Sequence, residues 1–370
     1  MKYDDFDSYI NTIQSLSNNK LYIVGAGKYG KIWGKYFDKY DIPWVGYIDK
    51  RADLKSENGK PIYSYKDIKN GYYIISSYLF RYELLEELKK HNIELEKIIL
   101  YDHQDIFYKI YDDLTNYTQY TQKIKAFYQK HYGNRCFIIG NGPSLKLDDL
   151  EKLRKEFTFA SNTIYALYEH TNWRPTYYCA GDPFFCNQMM SDKKNLKIVT
   201  DGCQAAFTSV VGEGFQYRDD IDITHIYYFR RVEDSLSNKL PEFSVDCSEQ
   251  TYLAGTITYE MLQFAVYMGF KEIYLLGMDF NYSVERHING SITRKNVCNH
   301  MKEIEKEEKI FYDKILKRHG ETYIADIDLQ LAGFQAAKQH CDLHGIKILN
   351  ATRGGKLEVF SRINFDSLFS

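Results

Sequence analysis

The chain has 370 residues, enough for two or three domains with cores of their own. Its 48 basic and 50 acidic residues leave a net charge of −2, which excludes a global field that would recruit nucleic acid. Seven cysteines without a CxxC pair imply reduced thiols, and no apolar run reaches the roughly 18–20 residues of a membrane span. The opening MKYDDFDSYI is acidic where a signal peptide is basic and then apolar, so a cytoplasmic protein is expected. With 34 tyrosines and 22 phenylalanines, the surface could rest on proteins, sugars or a membrane face.

In chain order, KLYIVGAG is a strand running into a glycine turn, and KYGKIWGKYFDKY follows with helical spacing. WVGYIDK, YYIISSY and KIIL read as further strands separated by helical segments. Short apolar runs alternating with helices predict a parallel, doubly wound sheet, here over residues 1–103. The glycine-free, Tyr-rich stretch over 104–132 then reads as a helical connector.

A second α/β unit is predicted over 133–370. Its strands are RCFIIG, FTFASN, TYYCAGD, LKIVTD, HIYYF, EIYLLGMDF and IKILNAT. Its clearest helices are GTITYEMLQFAVYMG and HMKEIEKEEKIFYDKILKRHG. No period of 20–50 residues recurs, so a solenoid is excluded. The fold class is therefore α/β with two Rossmann-like parallel-sheet domains, the C-terminal one larger.

Two strand–glycine turns are candidate binding sites. In the first unit Gly25, Gly27 and Gly30 form GxGxxG after a strand, with Asp49 ending the next strand. Such glycines let a backbone approach a pyrophosphate at a helix N-terminus, and the carboxylate can accept ribose hydroxyls. The same glycines also fit plain strand–helix packing, and this unit is expected to bind a nucleotide or to dock. In the second unit CFIIGNGPSL ends its strand on Gly140, Asn141, Gly142 and Ser144. Asn162 ends FASN, Asp182 ends TYYCAGD, Asp279 ends EIYLLGMD, and Thr256 and Thr258 open the helix of AGTIT. Any one of these could be a satisfied turn or cap. Their collection at several strand ends points to the ligand-binding edge of an open sheet.

GNGPSL, the SN pair, DPFF and GFKEIYLLGMDF, in this order, resemble the bacterial lipooligosaccharide sialyltransferases. With LNATRGGKLEVF added, the likeness over 135–365 extends to the motility-accessory-factor and pterin-diphosphokinase-like superfamily. The first 100 residues loosely resemble the N-terminal domains of bacterial sugar acetyltransferases. The likeness implies a sialyltransferase-like (GT-A-like) second domain and a CMP-sugar donor. It places Asn141 and Ser144 at the phosphate and ribose, Asn162 near the sugar or cytidine, and Thr256 and Thr258 near a donor anion. Gly140, Gly142, Asp182 and Asp279 complete the donor set, and Tyr282 would serve the leaving phosphate. Asp182 stands where those enzymes carry Asn, and AGTIT where they carry Thr-Ser-Gly, which leaves the donor sugar open.

The resulting expectation is an inverting transfer to a glycan or protein hydroxyl, with His300 as base and His287 in reserve. No cofactor is required on this reading, and Mg²⁺ is the one ion held open. The alternatives are a Mg²⁺-dependent, pterin-type diphosphokinase and a non-catalytic nucleotide-binding scaffold. The expected partners are the CMP-sugar and the acceptor, without nucleic acid, in a homo-oligomer that can associate peripherally with the inner membrane face. Arg353 of RGGK is balanced between clamping an anion and shaping a hairpin.

Overall fold

A computed structural model describes residues 2–3, 5–51, 59–67, 70–78, 80–101, 103–182, 185–186, 192–210, 224–232, 240–282, 284–286, 292–294, 300–319 and 325–369. The chain divides into two compact units, Met1–Thr118 and Gln119–Ser370. The expected connector is therefore not a separate piece. Its helix Gln104–Thr115 packs on the first unit's helices Phe6–Ser15 and Lys28–Lys39, while Gln122–Phe127 belongs to the second. The cause is the apolar face of Gln104–Thr115, where Ile106, Phe107, Ile110 and Tyr111 are all buried.

The first unit holds β1 (Lys2–Tyr3), β2 (Leu21–Val24), β3 (Gly46–Ile48), β4 (Ile62–Tyr63), β5 (Tyr72–Ile75) and β6 (Ile98–Tyr101). They form one sheet in the order β1-β6-β5-β2-β3-β4, parallel throughout. All four residues of β2 and of β6 are buried, as a sheet covered on both faces requires. The order reverses at β2, so the Gly25–Gly30 turn stands at the crevice edge.

The second unit holds β7 (Arg135–Ile139), β8 (Phe157–Ser161), β9 (Tyr177–Ala180), β10 (Ala205–Ser209), β11 (Ile226–Phe229), β14 (Glu272–Leu276), β17 (Lys347–Asn350) and β18 (Ser361–Arg362). Their order is β11-β10-β9-β8-β7-β14-β17-β18, again parallel throughout. Two short pairs lie outside this sheet: β12 (Arg231–Val232) with β13 (Thr251–Tyr252), and β15 (Val284–Arg286) with β16 (Ile292–Arg294). Here the order reverses at β7, between β8 and β14. One core layer, including Phe207, Phe264 and Met261, covers one face of the sheet. The other face is covered by a layer that includes Leu150, Trp173 and Leu276.

One expected strand is a helix. The first four residues of LKIVTD end the helix Lys193–Val199, whose N-cap Asp192 accepts from the Lys194 N–H at 2.8 Å. The capping carboxylate outweighs the apolar run, and the strand of this segment is the neighbouring AAFTS.

His131 packs in the second core with its ring 4.1 Å from that of Phe157, and Nε2 lies 2.5 Å from the Tyr177 hydroxyl. Burial pushes its pKa down to about 4, with the Lys130 charge adding to the effect. The unfolded chain takes this proton near pH 6.5 and the folded chain only near 4. Stability from this site is therefore complete above 6.5 and falls between 6.5 and about 4, by up to about 3 kcal/mol. Thermal melts across that window should show the slope, and His131→Gln should flatten it.

Candidate functional site

The second unit's site grows from the point where its strand order reverses. Gly140 N–H donates to the Leu276 carbonyl at 2.8 Å, and Gly142 N–H to the Gly277 carbonyl at 3.0 Å. Gly277 has φ +70°, in the left-handed region. The two loops thus run against each other beyond β7 and β14. A Cβ on Gly140 would come within 2.5 Å of the Gly277 carbonyl oxygen. One on Gly142 would come equally close to that oxygen and would overlap the Asp279 carboxylate. The close approach that requires these glycines is therefore to the protein's own backbone.

Gly142→Val should lower the stability of the second unit by about 1–3 kcal/mol through overpacking. Urea unfolding followed by circular dichroism measures this. An unchanged midpoint would show that the Gly277–Asp279 turn yields freely.

Ser144 and Asp279 also meet each other. The Ser144 hydroxyl donates to Asp279 Oδ2 at 2.8 Å, with the Ser144 N–H on the same oxygen at 3.3 Å. The Asp279 carbonyl accepts the Lys356 N–H at 2.8 Å, which joins the RGGK turn to this edge. Arg353 itself turns away. Its guanidinium binds Asp149, which is buried, and Asp366 at 3.0 Å. Arg353 thus belongs to the structure of the C-terminal segment, and its anion-clamping alternative falls.

Asn141 and Asn162 form the adjoining part. Asn141 stands two residues beyond the end of β7, and Asn162 follows Ser161, the last residue of β8. The Asn141 amide donates to the Ser161 carbonyl and to the Thr163 hydroxyl, each at 3.4 Å. Asn162 has φ +52°, a conformation that Asn tolerates better than most residues, and its carbonyl accepts from the Tyr178 hydroxyl at 2.8 Å. The side-chain oxygens of both asparagines are buried without a hydrogen-bond partner. Leaving such an acceptor unmet costs about 1–3 kcal/mol each.

His300 is brought to the same loop. The next residue, Met301, donates its N–H to the Asn141 carbonyl at 2.9 Å, and the helix Lys302–His319 starts from there. His300 stands two positions before that helix. With Pro143, Leu145, Lys146, Lys302 and Glu303 it lines an open groove of 520 Å³. Tyr282 lies edge-on to Phe280 with ring centres 5.5 Å apart. His287 lies outside the described residues.

Thr256 caps the helix Ile257–Tyr267 by accepting the Thr258 N–H at 3.3 Å, and the Thr258 hydroxyl points to Met278 Sδ at 3.7 Å. That helix start therefore abuts the β14 end. Asp182 accepts the Phe185 N–H at 2.9 Å and ends β9. Beside it lies a buried ion pair that the sequence reading did not single out. Arg231 Nε donates to Glu260 Oε1 at 2.5 Å, and its Nη1 to the Gly181 carbonyl. Burial pushes the Glu260 pKa up, against the attraction of Arg231. Burial alone would lower that of Arg231, but the Glu260 and Asp182 charges outweigh it and hold the guanidinium charged. One sequence signal was present: Glu260 is the lone acid inside the apolar run ITYEMLQFAVY.

In the first unit, Asp49 Oδ2 accepts the Ala26 N–H at 2.8 Å and Oδ1 the Arg51 N–H at 3.0 Å. A Cβ on Gly30 would overlap the Gly25 carbonyl, and one on Gly25 would meet Ser76 Oγ at 2.9 Å. These three residues therefore serve the turn itself. Gly27 faces open space at the start of the helix Lys28–Lys39.

Residues 112–285 match the family model described as 6-hydroxymethylpterin diphosphokinase MptE-like. The match covers less than half of the chain and shows a likeness of this segment to that family. The segment contains β7 to β14 and hence every strand end of the candidate site that lies before His300. Among solved structures, the chain is similar to the MAf glycosyltransferase from Magnetospirillum magneticum AMB-1, at 13% identity and a TM-score of 0.37. That similarity covers 98% of this chain and 62% of the other, so the chain spans less than two thirds of that protein. No curated protein matches the chain. Among the described residues, no helix is long and apolar enough to cross a membrane, and no three His, Cys, Asp or Glu side chains are grouped to hold a metal.

Proposed function

We propose that the second unit is a glycosyltransferase that moves a sialic-acid-like sugar from a CMP-activated donor to a glycan or protein hydroxyl, with inversion. The observation that supports this most is the convergence of polar strand ends where the MptE-like sheet reverses its order. Asn141, Asn162 and the tied Ser144–Asp279 pair lie there, and Met301, next to His300, donates its N–H to the Asn141 carbonyl. On this reading His300 takes the proton of the acceptor hydroxyl as its oxygen attacks the anomeric carbon. The bond from that carbon to the phosphate oxygen breaks, CMP departs, and Tyr282 donates a hydrogen bond to the leaving phosphate. The start of the helix Ile257–Tyr267 favours the donor's negative charge.

A second reading is favoured by the description of the family model, which names a diphosphokinase. ATP would then pass its diphosphate to a pterin-like hydroxymethyl group with Mg²⁺. We take the first unit to bind a nucleotide or to dock. We further propose a cytoplasmic homo-oligomer with peripheral contact to the inner membrane face.

A melting-temperature panel of CMP, CDP, UDP, GDP, NAD and ATP with and without Mg²⁺ separates these readings. A ligand at 100 times its Kd stabilises the folded state by about 2.7 kcal/mol. CMP should give the largest rise. A rise with ATP and Mg²⁺ alone selects the diphosphokinase, and no rise with any nucleotide removes both.

A further inference from the structure

The asparagines at the ends of β7 and β8 define what the site can recognise. The Asn141 amide group is oriented by the Ser161 carbonyl, which can only accept, so the NH₂ must face it. The amide oxygen therefore points the other way, buried and without a partner. Asn162, the residue between the Ser161 and Thr163 that the Asn141 amide touches, likewise leaves its amide oxygen buried and unmet, on a left-handed backbone. Two adjoining acceptors without donors are unsuited to a phosphate oxygen, which is itself an acceptor. They suit a ligand that brings donors.

We propose that this edge selects its ligand through a pair of sugar hydroxyls that donate to the Asn141 and Asn162 amide oxygens, and that phosphate is held elsewhere. Of the phosphate and ribose expected at Asn141, this keeps the ribose as one source of the hydroxyls and drops the phosphate. It rests on the reading of the second unit as a nucleotide-dependent transferase, and it holds for either nucleotide. The hydroxyls can come from the ribose of the nucleotide or from the transferred sugar, and the two sources are separable by experiment.

The probes are CMP, 2′,3′-dideoxy-CMP, ATP with Mg²⁺, its 2′,3′-dideoxy form and a CMP-activated sialic acid, titrated calorimetrically into the full chain. If ribose supplies the donors, the dideoxy nucleotide binds roughly 10–100-fold more weakly than its parent, as expected when buried polar groups lose their partners. If the transferred sugar supplies them, CMP and its dideoxy form bind alike and the CMP-sugar binds roughly 10–100-fold more tightly than CMP.

Asn162→Gly supplies the control. Glycine accepts the left-handed backbone, so this variant should fold with an unchanged or higher melting temperature. It should lose the preference for hydroxyls, and Asn162→Asp, which keeps an acceptor, should retain it. The proposal is overturned if dideoxy-CMP, CMP and the CMP-sugar bind alike. It is also overturned if Asn162→Gly weakens parent and dideoxy nucleotides by the same factor. Binding of ATP alone with its hydroxyl preference intact removes the CMP reading and leaves this inference standing. Absence of binding by every probe overturns both.

Discussion

His300→Ala should lose roughly 10²–10⁴ in turnover while keeping CMP affinity within a few-fold, the range for removal of a general base. The argument has two parts. An acceptor hydroxyl needs its proton taken near neutral pH, and histidine is the side chain whose unperturbed pKa lies there. The structure also gives His300 a fixed place, because the Met301 N–H holds the Asn141 carbonyl at 2.9 Å and His300 lines the groove beside Pro143. Lys146, Lys302 and Glu303 line the same groove as His300. Single-turnover transfer from a CMP-sugar, measured with a separate titration of CMP, tests this. Normal turnover in His300→Ala with a dead His287→Ala moves the base to His287. Activity in both variants discards the mechanism.

The difference between what sequence shows and what it hides is clear at this site. The parallel sheets could be read because buried parallel strands are short apolar runs, and RCFIIG, FTFAS and EIYLL are such runs. The polar strand ends could be read because glycine, asparagine and aspartate punctuate those runs. What they touch could not be read. Ser144 and Asp279 are 135 residues apart, and only the β7–β14 pairing puts one on the other. The glycines of GNGPSL looked like a cradle for a ligand because sequence does not reveal that Gly277 lies against them. LKIVTD failed for a local reason, since a short apolar run fits a capped helix turn as well as a strand, and here Leu196 and Val199 are buried at helical i, i+3 spacing. The 104–132 stretch was read as helical, but its division between two units depends on which core takes each face.

Arg231→Met and Glu260→Leu should each destabilise the second unit by about 3–5 kcal/mol, and the double variant should recover most of that loss. Glu260 is fully buried, and the Arg231 side chain is only 13% exposed. Removing one partner leaves the other charge in a low-dielectric site with nothing to offset its desolvation. Removing both leaves two apolar side chains of similar volume, which the surrounding core residues can accept. The pair is not an isolated staple. Arg231 also donates to the Gly181 carbonyl at the end of β9, and a Cβ on Gly181 would come within 2.7 Å of Arg231 Nε. Glu260 lies in the first turn of the helix that Thr256 caps, and that helix start meets Met278 beyond β14. The ion pair therefore ties the Asp182 strand end to the helix start, both of which were assigned to the donor. Urea midpoints of the two single variants and the double variant give the coupling energy directly. Additive losses would mean that the two charges act separately. A strong coupling together with weaker nucleotide binding in the stable double variant would show that the pair also sets the geometry of the site, beyond holding the unit together.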